Sequence, residues 1–392
     1  MAFINVKSEA GILYLCPQGR VDTTNAPQVE QEIMAAKAAN TYENIIIDAD
    51  ALEYISSAGL RVILRLRKDV PGLKIVNASP EVFDVLEMTG FTEMIPVEKA
   101  YRKLSVEGCE VIGQGANGKV YRLDAETIIK VYMNPDSLAD IHRERELARR
   151  AFVLGIPTAI PYDVVKTEEG YGSVFELLNA KSFAKLVNSD PDHLENYIDL
   201  YADLLKKIHS THVKPDEVAD MRAKFCNRVK TLKGHVSDEV YEKLTAHFDA
   251  VPEDDRMIHG DFHLKNVMMQ NDEILLIDMD TLSHGHPVYE LACMHNAYVG
   301  FCELDPKHIE EFMGITYEAA GKIWEGTLRR YLGTDDPAVI QPIEEKIELV
   351  AYVRLLDRRI RRGANNELEQ KEYDAYKKHV LDLLEKVDAI VF

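Results

Sequence analysis

The stretch His259-Gly260-Asp261-Phe262-His263-Leu264-Lys265-Asn266, followed by Ile277-Asp278-Met279-Asp280, decides how this chain is read. An aspartate able to accept a hydroxyl proton (Asp261), an asparagine five residues on (Asn266) and an aspartate closing an apolar run (Asp278) together form the equipment for Mg-assisted phosphoryl transfer. A transferred phosphoryl group asks for little covalent help. Carboxamide and carboxylate oxygens hold the metal, and one carboxylate orients the nucleophile. Asp261 is therefore the candidate catalytic residue, and Asn266 and Asp278 are the candidate Mg ligands. Val267-Met268-Met269, a turn at Gln270-Asn271-Asp272 and the run Ile274-Leu275-Leu276-Ile277 predict a short hairpin that brings Asn266 and Asp278 together at its open end. The blander alternative makes Asp261 and Asn266 loop caps and Asp278 a turn residue. His259, His263, His284 and His286 suggest zinc by their spacing, but no cysteine pair accompanies them.

At 392 residues and 46% hydrophobic content the chain is long enough for two or three domains. No apolar run long enough to span a bilayer and no basic-flanked leader appears, so a cytoplasmic protein with no membrane partner is expected. Five scattered cysteines without CxxC spacing fit reduced thiols. The net charge is −20; residues 1–106 hold 11 Lys plus Arg against 14 Asp plus Glu, so most of the excess lies beyond them. Such an acidic remainder repels phosphate backbones, which excludes nucleic acid as a partner. It is compatible with a cationic small substrate, although simple solubility is the plainer reading.

Upstream of the decisive stretch, Val111-Ile112-Gly113-Gln114-Gly115-Ala116-Asn117-Gly118-Lys119-Val120-Tyr121 gives a GxGxxGxV pattern. A dinucleotide-binding turn needs a helix next, whereas Val120-Tyr121-Arg122-Leu123 reads as a strand. A glycine-rich hairpin is expected, with Gly113, Gly115 and Gly118 letting backbone N–H groups approach nucleotide phosphates. The β-rich run Thr127 to Tyr132 carries one lysine, Lys130, suited to the α/β-phosphates; its ion-pair partner is sought in the helix Ile141 to Leu154, Glu144 before Glu146. Phe175-Glu176-Leu177-Leu178 reads as an inter-lobe hinge, placing the backbone of Glu176 and Leu178 at an adenine ring. Helical patterns fill the C-terminal part, including Ile340 to Leu356 and Lys371 to Val387, with Trp324 in their core. Arg354, Arg358, Arg359, Arg361 and Arg362 are read either as a solvated helix face or as a partner for an anionic ligand.

In residues 1–104 strands alternate with helices: Phe3 to Ser8, Ile12 to Arg20, a helix from Ala26 to about Ala39, the strand Asn44 to Asp48, a helix after Ser56, the strand Leu73 to Asn77 and a helix from Pro80. This predicts an α/β layer domain. A charged linker without apolar period, Glu98 to Glu107, places the boundary near Ser105.

Two resemblances follow from these residues. Tyr54-Ile55-Ser56-Ser57-Ala58-Gly59-Leu60, with Val85-Leu86-Glu87-Met88-Thr89-Gly90-Phe91, resembles the STAS superfamily of anti-sigma-factor antagonists over about residues 1–104. That resemblance implies a protein partner, such as an anti-sigma factor, and a regulatory phosphosite at Ser57. A phosphate at a helix start meets free N–H groups and the positive end of the dipole; Ser56 or Ser57 as a plain N-cap is the competing reading. Two departures are Ser56, where many members carry aspartate, and Ala58, where many carry a second serine. The glycine loop, Lys130, Leu205-Lys206-Lys207-Ile208-His209-Ser210, the stretch His259 to Asn266 and the run Asp278 to Ala292 together resemble the aminoglycoside-phosphotransferase/choline-kinase branch of the protein-kinase-like fold. This second resemblance covers about residues 108–392, in a domain expected over residues 105–392 with an N-lobe to about 178 and a C-lobe beyond. It implies a two-lobed α+β domain, ATP and Mg as cofactors, and a hydroxyl-bearing small molecule as acceptor. Glu290 stands where that branch usually has aspartate. The competing function is a non-catalytic nucleotide-binding regulator that docks partners through the STAS domain.

Overall fold

A computed structural model describes residues 2–114, 118–134 and 137–392. The chain divides into two compact units, Met1–Ser105 and Val106–Phe392.

In the first unit, alternating burial makes Ile12–Pro17 and Asn44–Asp48 half-buried strands. The sheet runs Ile4–Glu9, Ile12–Pro17, Asn44–Asp48, Lys74–Ala78, Val97–Lys99; the first pair is antiparallel and the others parallel. The sequence reading carried the second strand through to Arg20, but Gly19 has a positive φ of 62° and breaks it. Gly19–Val21 leaves to pair in parallel with Leu52–Ile55. That small ribbon ends beside the helix Ser57–Asp69, where the Ser56 hydroxyl caps the start by accepting from Ala58 N–H at 3.2 Å. Gly59 is required by close packing, since a Cβ there would stand 2.8 Å from both Ile55 and Val21. Leu60, Val62, Ile63 and Leu66 bury the inner face of this helix over the sheet core of Leu13, Leu15, Ile45 and Ile47.

In the second unit, five antiparallel strands lie in the order Pro161–Lys166, Tyr171–Glu176, Thr127–Tyr132, Gly118–Arg122, Glu110–Gln114. The glycine-rich segment is thus a strand pair, as Val120-Tyr121 foretold, with the expected phosphate-loop residue Gly115 outside the described residues. Gly118 has a steric reason: a Cβ there would meet the Val131 carbonyl oxygen at 2.2 Å. The helix Leu138–Val153 packs on this sheet. The rest is helical around one apolar core, with two small three-stranded sheets set into it. In one of them Val267–Gln270 and Glu273–Leu276 form a hairpin, turned by Asn271 and Asp272 at positive φ, and Lys181–Ser182 pairs with its first strand. Trp324 is buried in the helix Tyr317–Leu332, and the C-terminal pair of helices runs Pro337–Arg362 and Glu367–Lys386. Among the described residues no helix is long and apolar enough to cross a membrane.

Candidate active site

Between the five-stranded sheet and the Val267–Leu276 hairpin lies a cavity of about 470 Å³. Val120 and Ile128 line it from the sheet, and Met268 and Ile277 from the hairpin. Apolar side chains on two opposing walls suit a flat aromatic ring. Gly113, Gly118, Glu176 and Leu178 stand around the same cavity, as do Lys130, Glu144 and Asp278.

Lys130 is the hinge of the charge arrangement. Its Nζ donates to Glu144 Oε1 at 2.8 Å and approaches Asp278 Oδ1 at 3.4 Å. Burial pulls this ammonium's pKa down, but Glu144 and Asp278 outweigh it and the net shift is upward, so the lysine stays charged. Glu144 is further fixed by the Tyr132 hydroxyl, a partner no sequence spacing announced. Glu146, the second choice from sequence, faces away and binds Arg149 and Arg150.

The loop bearing Asp261 is held from below. Glu290, fully buried on the helix Val288–His295, accepts the Gly260 N–H at 3.0 Å and also the His259 N–H. Burial raises the Glu290 carboxyl to about 7, while those backbone donors oppose the rise. His259 is kept neutral by burial. Its Nε2 stands 3.2 Å from the Ile277 carbonyl and its Nδ1 accepts Asp261 N–H at 3.3 Å, which fixes the tautomer and ties the loop to the residue before Asp278. Tyr298 O–H accepts Leu264 N–H at 3.1 Å and lies 2.9 Å from the Tyr201 hydroxyl, a buried pair far away in sequence that reasoning from motifs missed.

Asp261 sits 3.3 Å from His263 Nε2. Burial pushes its carboxyl up, but the bond to His263 and the nearby His259 and Arg354 bring it net below the usual range. Asn266 Nδ2 donates to the Asp261 carbonyl at 2.9 Å and to Oδ2 at 3.3 Å, which turns Asn266 Oδ1 away. The bond from Ile277 N–H to the Asn266 carbonyl, 2.9 Å, sets Asn266 beside Asp278. Asp278 is in the left-handed region, φ 65° and ψ 66°, a strain on the order of 1–3 kcal/mol for a non-glycine residue that tends to persist at functional sites. Neither Asn266 Oδ1 nor Asp278 Oδ2 has a hydrogen-bond partner among the described residues. Asp280 adds a further carboxylate, which burial and its acidic neighbours Asp278 and Glu144 raise to about 6; the sequence reading quoted it and gave it no role.

A lysine–glutamate pair beside a nucleotide-sized cavity, with an aspartate–asparagine loop and a strained aspartate opposite, is the arrangement of a kinase-like phosphotransferase. The model of the phosphotransferase enzyme family matches residues 108–321, and the STAS domain model matches residues 3–104. The chain belongs to the phosphotransferase enzyme family, its kinase-like domain following a STAS α/β region. Over 91 residues it is 40% identical to BtrV of Bordetella bronchiseptica, assigned as a candidate anti-sigma factor antagonist, covering 22% of this chain and 78% of that one. Among solved structures, the streptomycin-ATP-APH(2")-IIa ternary complex is 14% identical, with a TM-score of 0.47 over 79% of this chain and 98% of the other. ADP-bound APH(2'')-Ib is 18% identical, with a TM-score of 0.45 over 79% and 99%. An anti-sigma factor antagonist from Mycobacterium paratuberculosis is 24% identical over 24% of this chain and 83% of the other, with a TM-score of 0.23.

Proposed function

We propose that the second unit transfers the γ-phosphate of ATP, with Mg²⁺, to a hydroxyl of a small molecule. The observation that carries this is Lys130 bridging Glu144 at 2.8 Å and Asp278 at 3.4 Å on the wall of a cavity, with Asn266 bonded both to the residue before Asp278 and to Asp261. In this reading the backbone at Glu176 and Leu178 meets the adenine edge, Gly113, Gly115 and Gly118 cover the phosphates, and Lys130 holds the α- and β-phosphates. Asn266 Oδ1 and Asp278 Oδ2 are hard oxygen donors without partners among the described residues, which fits Mg²⁺, an ion that takes few protein ligands and keeps waters or phosphate oxygens for the rest. When bound, the ion neutralises charge building on the phosphate oxygens. Asp261 orients the acceptor hydroxyl and takes its proton, and its low carboxyl pKa keeps it ready as a base.

The test is ADP formation by the full chain with Mg and ATP, beside nucleotide binding, in wild type and Asp261→Ala. Turnover that needs Asp261 is expected. Equal, near-zero turnover in both, with nucleotide still bound, would make the unit a nucleotide-binding regulator instead.

For the first unit we propose regulation through a docked protein partner, with Ser57 as the modified residue. Ser57 is exposed at the first position of its helix, and Ser56 supplies the cap. A phosphate there would be held by the helix dipole and would change an exposed docking surface. Mass spectrometry of protein from its native host, and of purified protein given Mg and ATP, tests this against Ser57→Ala and Asp261→Ala. No phosphate on Ser57 in either sample removes the switch. The five unpaired cysteines support a reducing compartment, the cytoplasm.

A further inference from the structure

The loop from Asp261 to Asn266 is neither helix nor strand, so its backbone groups find their partners one by one. Glu290 takes the N–H groups of His259 and Gly260, on one side of Asp261. On the other side the partners are two tyrosines that belong to no motif, Tyr201 of the helix Leu194–His209 and Tyr298.

The protons of this pair can be placed. Tyr201 O–H donates to the Phe262 carbonyl at 3.2 Å, and Leu264 N–H donates to the Tyr298 hydroxyl oxygen at 3.1 Å. Tyr201 has one proton and it is committed to Phe262, so across the 2.9 Å between the two hydroxyls Tyr298 donates and Tyr201 accepts. The path runs from Leu264 N–H through Tyr298 and Tyr201 to the Phe262 carbonyl and brackets a single residue, His263. Fixed at its backbone on both sides, His263 is the side chain that stands 3.3 Å from Asp261 Oδ2. The Leu264 carbonyl is held too, by Ala184 N–H at 3.2 Å, and the Tyr201 ring stacks on Phe262 with centroids 4.4 Å apart.

Both tyrosines are wholly buried, and their hydroxyls have no other partner among the described residues. Phenylalanine would fill the same space with no polar atom to satisfy, and burying a hydroxyl costs free energy unless it is bonded. Packing alone gives no reason for two phenols here; the loop backbone does. Tyr298 also stands in a π-helical turn, Asn296–Gly300, closed by Phe301 N–H donating to the Asn296 carbonyl at 3.0 Å. Asn296, itself buried, braces that turn by donating from Nδ2 to the Ala351 carbonyl of the helix Pro337–Arg362 at 3.0 Å. Such π turns are rare and recur at functional sites.

We propose that Tyr201 and Tyr298 are positioning residues for phosphoryl transfer: their hydroxyl relay fixes Phe262 and Leu264 and so sets how Asp261 and His263 meet the acceptor hydroxyl. This rests on the phosphotransferase reading above. In the step itself the acceptor oxygen bonds to the γ-phosphorus and its proton passes to Asp261. The bond from that phosphorus to the β-γ bridging oxygen breaks, and ADP leaves with the electron pair. The tyrosine protons stay where they are throughout.

The experiment compares wild type, Tyr201→Phe, Tyr298→Phe, the double variant and Asp261→Ala, all as full chains. Tyr352→Phe is the control, since it removes a hydroxyl bond to Glu303 at 3.1 Å that does not touch the loop. With Mg and ATP, each single variant should lower kcat for ADP formation by about 10- to 100-fold while KM for ATP stays within about twofold. The double variant should fall no further than the worse single, because the relay works as a unit. Hydrogen exchange followed by mass spectrometry should show peptides covering 259–266 exchanging about tenfold faster or more in both single variants, and unchanged in Tyr352→Phe. A merely structural pair would lower the melting temperature, as Tyr352→Phe should, with kcat kept. Wild-type kcat in Tyr298→Phe, or exchange over 259–266 as slow as in wild type, overturns the proposal and leaves the phosphotransferase reading standing. ADP formed equally by wild type and Asp261→Ala removes both.

Discussion

The two units bury different chemistry. Among the described residues of the first, every buried side chain is apolar, from Ile4 to Ile95. The second buries Glu144, His209, His259, His263, Asn266, Glu290, His295 and Asp357 among others, and all the buried polar atoms without partners are there too. All 13 histidines of the chain also fall in the second unit. Burying a polar group costs free energy unless it is bonded, so a fold that does so repeatedly has spent stability on positioning.

The sharpest way to break that contrast is to remove the strained aspartate. Asp278→Ala should take Mg-dependent turnover down by about 10³-fold or beyond, while far-UV circular dichroism stays that of the wild type. Asp261→Asn should lower kcat by about 10²-fold or more with nucleotide affinity kept, because its task is the acceptor proton. Equal losses of ATP binding in the two variants would show the roles to be misassigned. A smaller effect is expected at Glu144→Gln, which leaves Lys130 with Asp278 alone. Nucleotide affinity, followed by calorimetry, should weaken by about tenfold, or about 1.4 kcal/mol.

The histidines sharpen the comparison through pH. His209, wholly buried with its Nδ1 2.8 Å from the Tyr331 hydroxyl, is held down to about 3, chiefly by burial and then by Arg256 and His286, with Asp254 opposing. Its folded pKa lies below the ordinary 6.5, so between those values the unfolded chain binds more protons and stability falls as pH falls. The stability advantage of wild type over His209→Gln should therefore shrink by up to about 1.4 kcal/mol per pH unit below about pH 6.5. Denaturant titration followed by fluorescence measures it, since Trp324 is the sole tryptophan and reports the second unit alone. In the first unit the effects are smallest and local. Ser56→Ala should cost about 1 kcal/mol through the lost cap, and Ser57→Ala next to nothing.

Much of this was legible in the sequence, for physical reasons. Regular burial periods gave the strands and helices of the STAS unit, and Asn271-Asp272 between apolar runs announced the hairpin that sets Asn266 beside Asp278. A carboxylate partner for Lys130 could be sought on the following helix because the chemistry demands one; the sequence left it between Glu144 and Glu146, and the fold pairs Glu144. Where the strand after Ile12 ends was misjudged because Gly19, at φ 62°, moves the chain into another sheet, which periodicity does not register. Tyr132 on Glu144, the Tyr201–Tyr298 pair and the meeting of Arg228 with Asp357 join residues 12 to 129 positions apart. No local pattern specifies such contacts; they exist only once the helices pack.

The proposed transfer of phosphate onto a small molecule by the second unit is open to direct test. The experiment is ³¹P NMR of the full chain incubated with Mg, ATP and a set of hydroxyl-bearing small molecules, beside Asp261→Ala. A new phosphomonoester resonance on a small molecule is expected, growing as ADP forms and absent in Asp261→Ala. Phosphate appearing on the protein alone, or ADP formed equally by both proteins, would contradict it.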